Sequence, residues 1–378
     1  MRCVPMVVCA AISLVSHRAS CADLTVPSMF GTVQEAIDAA NAGDVILIAP
    51  GTYAGPFFIS GKELTLRGVA GPLETILTGE GTHRVLTLQG VPAGTVIEGL
   101  TIADGAHSDA TGSGGVMSIG SSATIRNCRF VRNRSLGCYP ASAWGAAAYY
   151  GEGGSALLEN CAFVENSAAY SGSGVYQYLS GSIAIRNCDF ARNATGGHGV
   201  GGSPCNYTDN GTIHLQNEGG TVSAVIEGCR FSETIGYGAM AISCWSPGGV
   251  IELNVSDCRF VLPIVVPSPN VPYEPIPTVA VSGYSYSSGN SATLALNEYC
   301  GYVQSHLFPA GYALSVTDGT STEACPSPDV DGDGLTTGKE LAAVLSSWGS
   351  VGTGLPQDFD MDGLVDGNDL SRVLSGWQ

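Results

Sequence analysis

The 378-residue sequence is poor in positive charge. Its 15 basic residues are outnumbered by 33 acidic ones, the net charge is −18, and only Lys62 and Lys339 are lysines. A protein that binds a nucleic-acid duplex needs a stripe of basic side chains, which this sequence lacks. An anionic membrane surface would also repel it. We therefore expect no nucleic acid and no charged membrane among its partners.

Long apolar runs are also missing, except near the N-terminus. The stretch from Cys3 to Val15 follows Arg2 and is too short to span a bilayer, and no later run is long enough. Polar and small residues come next, which is the layout of a secretory signal over residues 1–22, with cleavage after Cys21 or Ala22. A lipoprotein processed at Cys21 is a weaker alternative. The sequence thus predicts a secreted or cell-surface protein without a membrane span.

Glycine is plentiful at 52 residues, yet the hydrophobic fraction of 44% excludes both disorder and collagen. A sequence frame with the pattern Asn/Gly/Asp–Cys–X–Phe recurs at intervals of roughly 30 residues, and TVIEGLTIADG (95–105) fits it with Leu100 in the cysteine position. The cysteines of the frame are Cys128, Cys161, Cys188, Cys229 and Cys258. Such a period indicates stacked supersecondary units.

Each repeat alternates apolar and polar residues around an asparagine or a similar turn residue. Two short strands joined by this turn fit the pattern better than a helix does, because asparagine tolerates the left-handed conformation. Glycine-rich stretches such as 112–120 and 171–181 supply a third strand, which makes each repeat one coil of a parallel β-helix. The asparagines predicted to stack from coil to coil are Asn127, Asn160 and Asn187, and then Asn133, Asn166 and Asn193.

This glycine-rich strand followed by N-C-x-F-x-x-N resembles the right-handed parallel β-helix proteins of the pectin lyase-like superfamily. The resemblance covers about residues 23–325 and implies a mainly β solenoid. At its start, Thr32 and Glu35 form a capping-box pattern, and we expect a short helix that ends at Gly43 and covers the first coil. One buried strand over 44–53 and an extended proline-rich loop over 263–277 are further expectations.

The cysteine column has two interpretations. Stacked in register, neighbouring Cα atoms would lie about 4.8 Å apart, which is within the range for a disulfide. The alternative, which we favour for most of these cysteines, is a column of small buried thiols beside a phenylalanine column. Signal removal would leave ten cysteines, an even number that permits disulfides without proving any. Better candidates for bridging are Cys138, Cys205, Cys244, Cys300 and Cys325.

The C-terminal residues 326–378 are acidic and internally doubled. The segments 329–348 and 358–377 match at 11 of 20 positions, and each begins D-x-D-x-D-G, the spacing of a calcium loop. Apolar residues at helical spacing follow each loop, whereas prolines and glycines precede it. A loop followed by a helix, twice, resembles a type I dockerin, which implies a small α-helical calcium module and a cohesin-like partner.

Two calcium ions are expected in this module. Loop position 12 is Glu340 in the first loop and Asp369 in the second, while positions 10 and 11 differ from the usual dockerin residues. Ion binding should contribute to the folding of this module, since each loop crowds several carboxylates. The ligands expected for the first ion are Asp329, Asp331, Asp333, Leu335, Thr337 and Glu340. Those for the second are Asp358, Asp360, Asp362, Leu364, Asp366 and Asp369.

Catalytic residues are not evident. Polygalacturonase-like enzymes combine an adjacent aspartate pair, Gly-His-Gly and Arg-x-Lys, but only Gly197-His198-Gly199 occurs here. A lyase needs a base beside carboxylates that hold calcium. Lys62 is the only lysine of the repeat region, and the arginines of the repeats are interpreted as a solvated strand face. The sequence therefore assigns no catalytic residue.

An aromatic face is the candidate binding site. In SGVYQYLSG and TIHLQNE, strand alternation directs four side chains away from the core, and two aromatic residues of neighbouring coils could join them. These candidates are Tyr149, Tyr176, Tyr178, His214, Gln216 and Trp245. Exposed rings beside polar groups suit a sugar, although a stack that only stiffens the solenoid is the alternative.

The sequence as a whole favours a non-catalytic function. We expect binding or adhesion to an extracellular polysaccharide or a cell-surface component, with the calcium module serving for attachment or assembly. The alternative is a polysaccharide lyase or glycoside hydrolase acting on the outer groove of the β-helix. A purely structural spacer is a third possibility. Paired acids and a base on one groove would favour the enzyme, and aromatic rings without them would favour the binder.

Overall fold

The computed structural model describes residues 21–108, 112–136, 144–169, 171–195, 211–234, 238–244, 248–261, 279–285, 290–300, 304–307, 314–321, 336–351, 357–359 and 364–375. Across these ranges, successive coils stack so that each strand pairs in parallel with the equivalent strand of the next coil. The described residues from Asp23 to Ser321 therefore form a parallel β-helix, as the repeat predicted. The proline-rich residues 263–277 lie outside the described residues.

Three long ladders of strands form the walls of the solenoid. Sheet 1 consists of Asp23–Val26, Val45–Ile48, Thr65–Gly68, Thr95–Glu98, Ala123–Arg126, Ser155–Glu159, Gly181–Arg186, Gly220–Glu227, Gly249–Ser256, Asn290–Cys300 and Leu314–Ser321. Sheet 2 consists of Gly51–Ala54, Thr75–Thr78, Thr101–Ala103, Arg129–Val131, Ala162–Val164, Asp189–Ala191, Arg230–Ser232 and Arg259–Val261, and it joins sheet 1 through Asn290–Cys300. Sheet 3 consists of Phe57–Ser60, Leu86–Gln89, Val116–Ile119, Ala148–Gly151, Val175–Tyr178, Gly211–Asn217, Gly238–Cys244, Val279–Ser285 and Gln304–Leu307. A fourth, short ladder contains Ala106–His107, Arg134–Ser135 and Ser167–Ala168.

The corner between sheets 1 and 2 has one conformation in every repeat. Asn127, Asn160 and Asn187 have φ angles of 53°, 52° and 51°, which is the left-handed region that asparagine tolerates. The same corner is occupied in other coils by Gly99, Gly228 and Asp257, with φ of 67°, 63° and 54°. The predicted asparagine turn is confirmed. Residues for which a positive φ is sterically unfavourable, such as β-branched ones, are unsuited to this position.

Two columns fill the core behind this corner. The phenylalanines of the repeat stack in parallel, with ring centroids 4.6, 4.6, 4.8 and 5.0 Å apart. The cysteines of the frame are buried free thiols, and each donates to the carbonyl two residues earlier, as Cys188 Sγ does to Arg186 O at 3.2 Å. Burial raises the pKa of the Cys128 thiol, which keeps the proton that this bond needs. The interpretation of this column as buried thiols is confirmed. The structure does not describe the side chains of Cys138, Cys205, Cys244, Cys300 and Cys325.

A buried asparagine ladder follows the phenylalanines. Asn133 donates its backbone N–H and its Nδ2 to Asn166 Oδ1, both at 3.0 Å. Asn166 makes the same two bonds to Asn193 Oδ1, also at 3.0 Å. The remaining amide proton of Asn166 satisfies the Phe130 carbonyl at 2.9 Å. The predicted stacking of these asparagines is therefore confirmed, with all three side chains fully buried.

Charged side chains alternate in sign from coil to coil on the outer surface. In sheet 1 the column is Arg67, Glu98, Arg126, Glu159, Arg186 and Glu227. Arg126 lies 2.6 Å from Glu98. Burial alone would raise the pKa of Glu98, but the hydrogen bonds from Arg67 and Arg126 outweigh this effect and lower it. A second column at the next corner starts with Arg132 and Asp104, 2.8 Å apart. Slippage by one coil would pair like charges, so these columns favour the observed register.

The N-terminal helix α1 (Val33–Ala39) carries the predicted capping box. The Glu35 N–H donates to Thr32 Oγ1 at 3.1 Å, and the Thr32 N–H donates to Glu35 Oε2 at 3.0 Å. The helix ends at Ala39 and not at Gly43, because Ala40 is already extended; Gly43 instead makes a turn with φ of 93°. The single strand predicted over 44–53 is also wrong: the chain turns a corner there and forms two strands, Val45–Ile48 and Gly51–Ala54.

Two further helices follow the acidic loops near the C-terminus. Helix α2 spans Gly338–Ser346 and helix α3 spans Gly367–Ser375. They enclose a small core of Val344, Phe359, Val365 and Val373, while Leu345, Trp348 and Leu374 remain about half exposed at 54%, 50% and 54%. Among the described residues, no helix is both long and apolar enough to cross a membrane.

Candidate functional site

The outward face of sheet 3 brings the predicted aromatic residues together. Tyr149, Tyr176 and His214 lie side by side in register on three neighbouring strands. Tyr178 and Gln216 form a second pair, two residues further along the same strands. Val175 and Ile213, which alternate with them, point into the core. The predicted orientation of these side chains relative to the core is therefore confirmed.

The expectation that they face solvent is wrong for most of them. Tyr176 and His214 are fully buried, Gln216 is 4% exposed and Tyr149 is 6% exposed. Tyr178 is the exception and remains partly exposed. Alternation along a strand distinguishes the core side of a sheet from its outer side, but it cannot show what else packs on the outer side. Here further chain segments cover it.

Trp144, which the sequence reasoning missed, is one of the covering residues. Its ring centroid lies 5.1 Å from that of Tyr176 in a stacked contact, and 5.4 Å from that of Tyr178 at an interplanar angle of 61°. Gly172 also approaches closely: its φ is 73°, and a Cβ there would lie 2.8 Å from the Tyr176 Cβ. The available signal was the position of Trp144, just before a sheet 3 strand, where other coils carry glycine-rich segments.

Tyr176 is the centre of this aromatic cluster. Its ring is parallel to that of Tyr149, with centroids 5.8 Å apart and an interplanar angle of 5°. On the other side, His214 meets it edge to face at 5.0 Å. Such contacts contribute roughly 0.5–1.5 kcal/mol per pair beyond burial. The buried rings therefore fit the alternative in which an aromatic stack stiffens the solenoid. Trp144 and Tyr178 form the accessible edge of the cluster.

A chain of polar contacts leads from this cluster to the surface. The Tyr176 hydroxyl donates to Gln216 Oε1, and Gln216 Nε2 donates to Glu218 Oε1 at 3.0 Å. The Tyr178 hydroxyl also bonds to Glu218. Burial, and then this contact, raise the pKa of Tyr178 to about 12. The exposed carboxylate of Glu218 is thus held in place by two neighbours of the aromatic edge.

The titratable groups of the face are uncharged or negative at neutral pH. Burial lowers the pKa of His214 to about 3, so the imidazole is neutral. Burial also raises the pKa of Tyr149, and the nearby charges of Glu152 and Glu218 add to this effect. Glu152 and Glu218 are exposed; each follows directly on a sheet 3 strand. Sequence reasoning missed both, because it considered only positions within the strands.

Two other sequence candidates cannot be placed. Trp245 lies outside the described residues, and so does the Gly197-His198-Gly199 motif. The repeat arginines, interpreted from sequence as a solvated strand face, belong in part to the alternating charge columns: Arg126, Arg132, Arg186 and Arg192 each lie within ion-pair distance of an acidic side chain. They are therefore already engaged with carboxylates on sheet 1 and at the corner that follows sheet 2, away from the strands of the aromatic face.

The predicted calcium loops are described only in part. Asp329, Asp331, Asp333, Leu335, Asp360 and Asp362 lie outside the described residues. Among the residues that are described, no group of three or more His, Cys, Asp or Glu side chains is arranged to hold a metal ion. Because half of the expected ligands lie outside the described residues, calcium binding remains a prediction.

Three of the six described ligand candidates are buried. Asp358, Asp369 and Glu340 are 5%, 0% and 1% exposed. Asp369 closes its loop by accepting the Phe359 N–H at 2.5 Å and the Asp366 N–H at 2.8 Å. In the first loop, Glu340 accepts the Thr337 N–H at 2.7 Å and its hydroxyl at 3.0 Å. Leu364 pairs with Val351 in an antiparallel bridge between the two halves.

No family model matches the sequence, and no curated protein matches it. Similar solved structures include pectin methylesterase from carrot, with 14% identity, a TM-score of 0.43, and coverage of 78% of this chain and 87% of that chain. Pectin methylesterase from Erwinia chrysanthemi has 12% identity, a TM-score of 0.42, and coverage of 80% and 92%. Alginate lyase from Paenibacillus sp. has 12% identity, a TM-score of 0.39, and coverage of 79% and 99%. These neighbours are parallel β-helix proteins, and at such identities the similarity concerns the fold alone.

Proposed function

We propose that this protein is an extracellular polysaccharide-binding β-helix, attached through a calcium-dependent C-terminal module to a cohesin-like protein partner. The observation that supports binding is the corner made by Trp144 and Tyr178, whose rings meet edge to face beside the Glu218 carboxylate. A sugar ring has an apolar face that packs on an aromatic ring, and hydroxyls that need acceptors. This corner supplies both.

The corner is pre-organised by the buried residues behind it. Tyr176 packs against Trp144 and also bonds to Gln216, which in turn bonds to Glu218. A ligand therefore finds rings and carboxylate already in place, and the loss of side-chain entropy on binding is small. Tyr149 and His214 contribute by supporting Tyr176, not by touching the ligand.

Hydrolysis or elimination at the same face is the second candidate function. It is favoured by the two exposed carboxylates, Glu152 and Glu218, which both lie close enough to Tyr149 for their charges to raise its pKa. Against it, His214 is enclosed, with its pKa lowered to about 3, so it does not serve as a base at neutral pH. Binding without turnover is therefore the function that the described geometry supports better.

Removing either accessible ring should weaken glycan binding. We expect Trp144→Ala and Tyr178→Ala each to cost about 2 kcal/mol, roughly a 30-fold increase in Kd, because each deletes one wall of the corner. Affinity electrophoresis and calorimetry with a panel of polysaccharides measure this effect. Tyr176 is unsuitable for the test, since alanine in its buried position would disturb packing.

The matched control is Trp348→Ala, which removes an equally large ring that is 50% exposed on the C-terminal module. It should leave glycan affinity unchanged. Unaltered binding in both Trp144→Ala and Tyr178→Ala would contradict the assignment of this face. The alternative enzymatic function is tested by incubating the same polysaccharides with the protein and measuring new reducing or unsaturated chain ends. If such ends form with the unmodified protein but not with Glu218→Gln, and Glu218→Gln still binds the polysaccharide, the result would favour catalysis.

We further propose that export leaves Ala22 as the first residue. The Ala22 N–H donates to Asp44 Oδ1 at 2.8 Å, and its carbonyl accepts the Val45 N–H at 2.9 Å. Cleavage after Cys21 would place a new ammonium group against Asp44, whose pKa is already lowered by the bond from Ala22. Cleavage after Ala22 would instead remove both bonds. Intact mass of the exported protein should match a chain starting at Ala22, and a chain starting at Asp23 would refute this.

A further inference from the structure

The two stretches of sequence that build the aromatic face contain neither lysine nor arginine. Between Arg134 and Arg186, and again between Arg192 and Arg230, the sequence has neither lysine nor arginine. Trp144, Tyr149, Tyr176, Tyr178, His214, Gln216 and Glu218 all belong to these two stretches. Whatever the conformation of the connecting loops, they cannot contribute a lysine or an arginine to this face.

The arginines of the solenoid are concentrated elsewhere. Those of the repeats lie on sheets 1 and 2, at the corner that follows sheet 2 or, for Arg134, on the short fourth ladder, and several pair with glutamate or aspartate. Arg84 precedes a sheet 3 strand, Leu86–Gln89, but two further strands separate that strand from Val175–Tyr178. Its Nε also donates to the Ser113 carbonyl at 2.7 Å.

The charges at the aromatic face itself are negative. Glu218 borders the Trp144–Tyr178 corner, and Glu152 follows the neighbouring strand at the same end. The one histidine of the cluster, His214, is fully buried and uncharged at neutral pH. An anionic sugar placed on the rings would meet carboxylates with no lysine or arginine among the described residues of this face to compensate, in a partly desolvated corner where repulsion is poorly screened.

We infer that the face binds a neutral polysaccharide and discriminates against polyuronates, which carry one carboxylate on each sugar. This inference rests on the proposed binding function and adds the ligand class. Neutral sugars present hydroxyl donors to Glu218 and an apolar ring face to Trp144 and Tyr178, so they satisfy every group of the corner. The net charge of −18 disfavours a polyanion at longer range as well.

Oligosaccharides of equal length provide the test. Calorimetry at low salt compares cellohexaose, mannohexaose and xylohexaose with hexagalacturonate, using the full chain. We expect at least one neutral hexasaccharide to bind at least tenfold more tightly than hexagalacturonate, and added salt to narrow the difference. Glu218→Lys should strengthen hexagalacturonate binding at least tenfold. Its control is Glu252→Lys, which makes the same charge change at an exposed position of sheet 1 and should have no effect.

Two results would overturn the inference in distinguishable ways. Hexagalacturonate binding as tight as that of every neutral sugar, and lost in Trp144→Ala, would leave the site in place and refute its selectivity. Absence of binding by any of the four probes, or binding insensitive to both Trp144→Ala and Tyr178→Ala, would refute the proposed function and the inference together.

Discussion

Chelation of calcium from the full-length protein is expected to unfold residues 326–378 and to leave the β-helix folded. The core of this module is small: among its described residues, Val344, Phe359, Val365 and Val373 form the buried apolar cluster, and modules of only 53 residues rarely bury enough apolar surface to be stable alone. Asp358, Asp369 and Glu340 are nevertheless buried carboxylates. Without a cation, the desolvation of these carboxylates and their repulsion by the other acidic residues of each loop sequence oppose folding. At about 1,000 times its Kd, calcium would contribute about 4 kcal/mol per site.

Calorimetry and far-ultraviolet circular dichroism with and without EGTA measure this effect. We expect one transition to disappear in EGTA together with the helical signal, while the transition of the β-strands stays at the same temperature. Asp369→Asn should reproduce part of the loss in saturating calcium, because it removes one charge and keeps the shape. Asp38→Asn, an exposed acid of helix α1, is the control. A module that is equally helical and stable in chelator would show that the loops are not calcium sites.

The repeat frame predicted the solenoid because its signals are local. The asparagine corner depends on one residue's tolerance of positive φ, and the alternation on either side assigns Cys128 and Phe130 to the core. Parallel stacking then follows, since identical frames can only bury their apolar side by aligning with one another. The turn, the phenylalanine column and the buried thiols were accessible from sequence for this reason.

The charge columns illustrate what local signals miss. Glu98 and Arg126 are far apart in sequence, and their contact exists only once the coils are in register. A search for alternation within one strand classifies each of them as solvated. Comparing the same frame position across repeats would have revealed the alternating signs, because that comparison follows the direction of stacking.

The prediction that the aromatic face is exposed was wrong for a different reason. Alternation correctly separated Tyr176 from Val175, but exposure of the outer side depends on what crosses it, and Trp144 lies outside the strand pattern. Glu218 was missed likewise, because it follows the end of its strand. Functional corners of this kind combine strand residues with flanking segments, so strand periodicity alone identifies only their buried half.

The asparagine ladder predicts the largest effect of a single substitution within the β-helix. Asn166→Ala would remove the acceptor of two Asn133 donors and the donor to Phe130 O and Asn193 Oδ1. Asn193 Oδ1 would keep the backbone N–H of residue 166. The Asn133 N–H, one Asn133 Nδ2 proton and the Phe130 carbonyl would each lose a buried partner, and at 1–3 kcal/mol each, partly relieved by relaxation, the cost is about 4 kcal/mol. Urea unfolding of the full chain, followed by circular dichroism, measures the change.

Asn160→Gly is the matched control, because this asparagine belongs to the same coil but is exposed, and Gly99 and Gly228 occupy its corner elsewhere. It should change stability by less than about 0.5 kcal/mol, since glycine accepts positive φ.

Asn166→Asp adds a pH signature. Its second oxygen would face the acceptors Phe130 O and Asn193 Oδ1, which raises the pKa of the new carboxyl above its unfolded value of about 3.9. The protonated form can donate again, so stability recovered in acid should be lost as pH rises through that raised pKa. An Asn166→Ala protein as stable as Asn160→Gly, or an aspartate variant with no such dependence, would show that the ladder bonds do not hold the coils together.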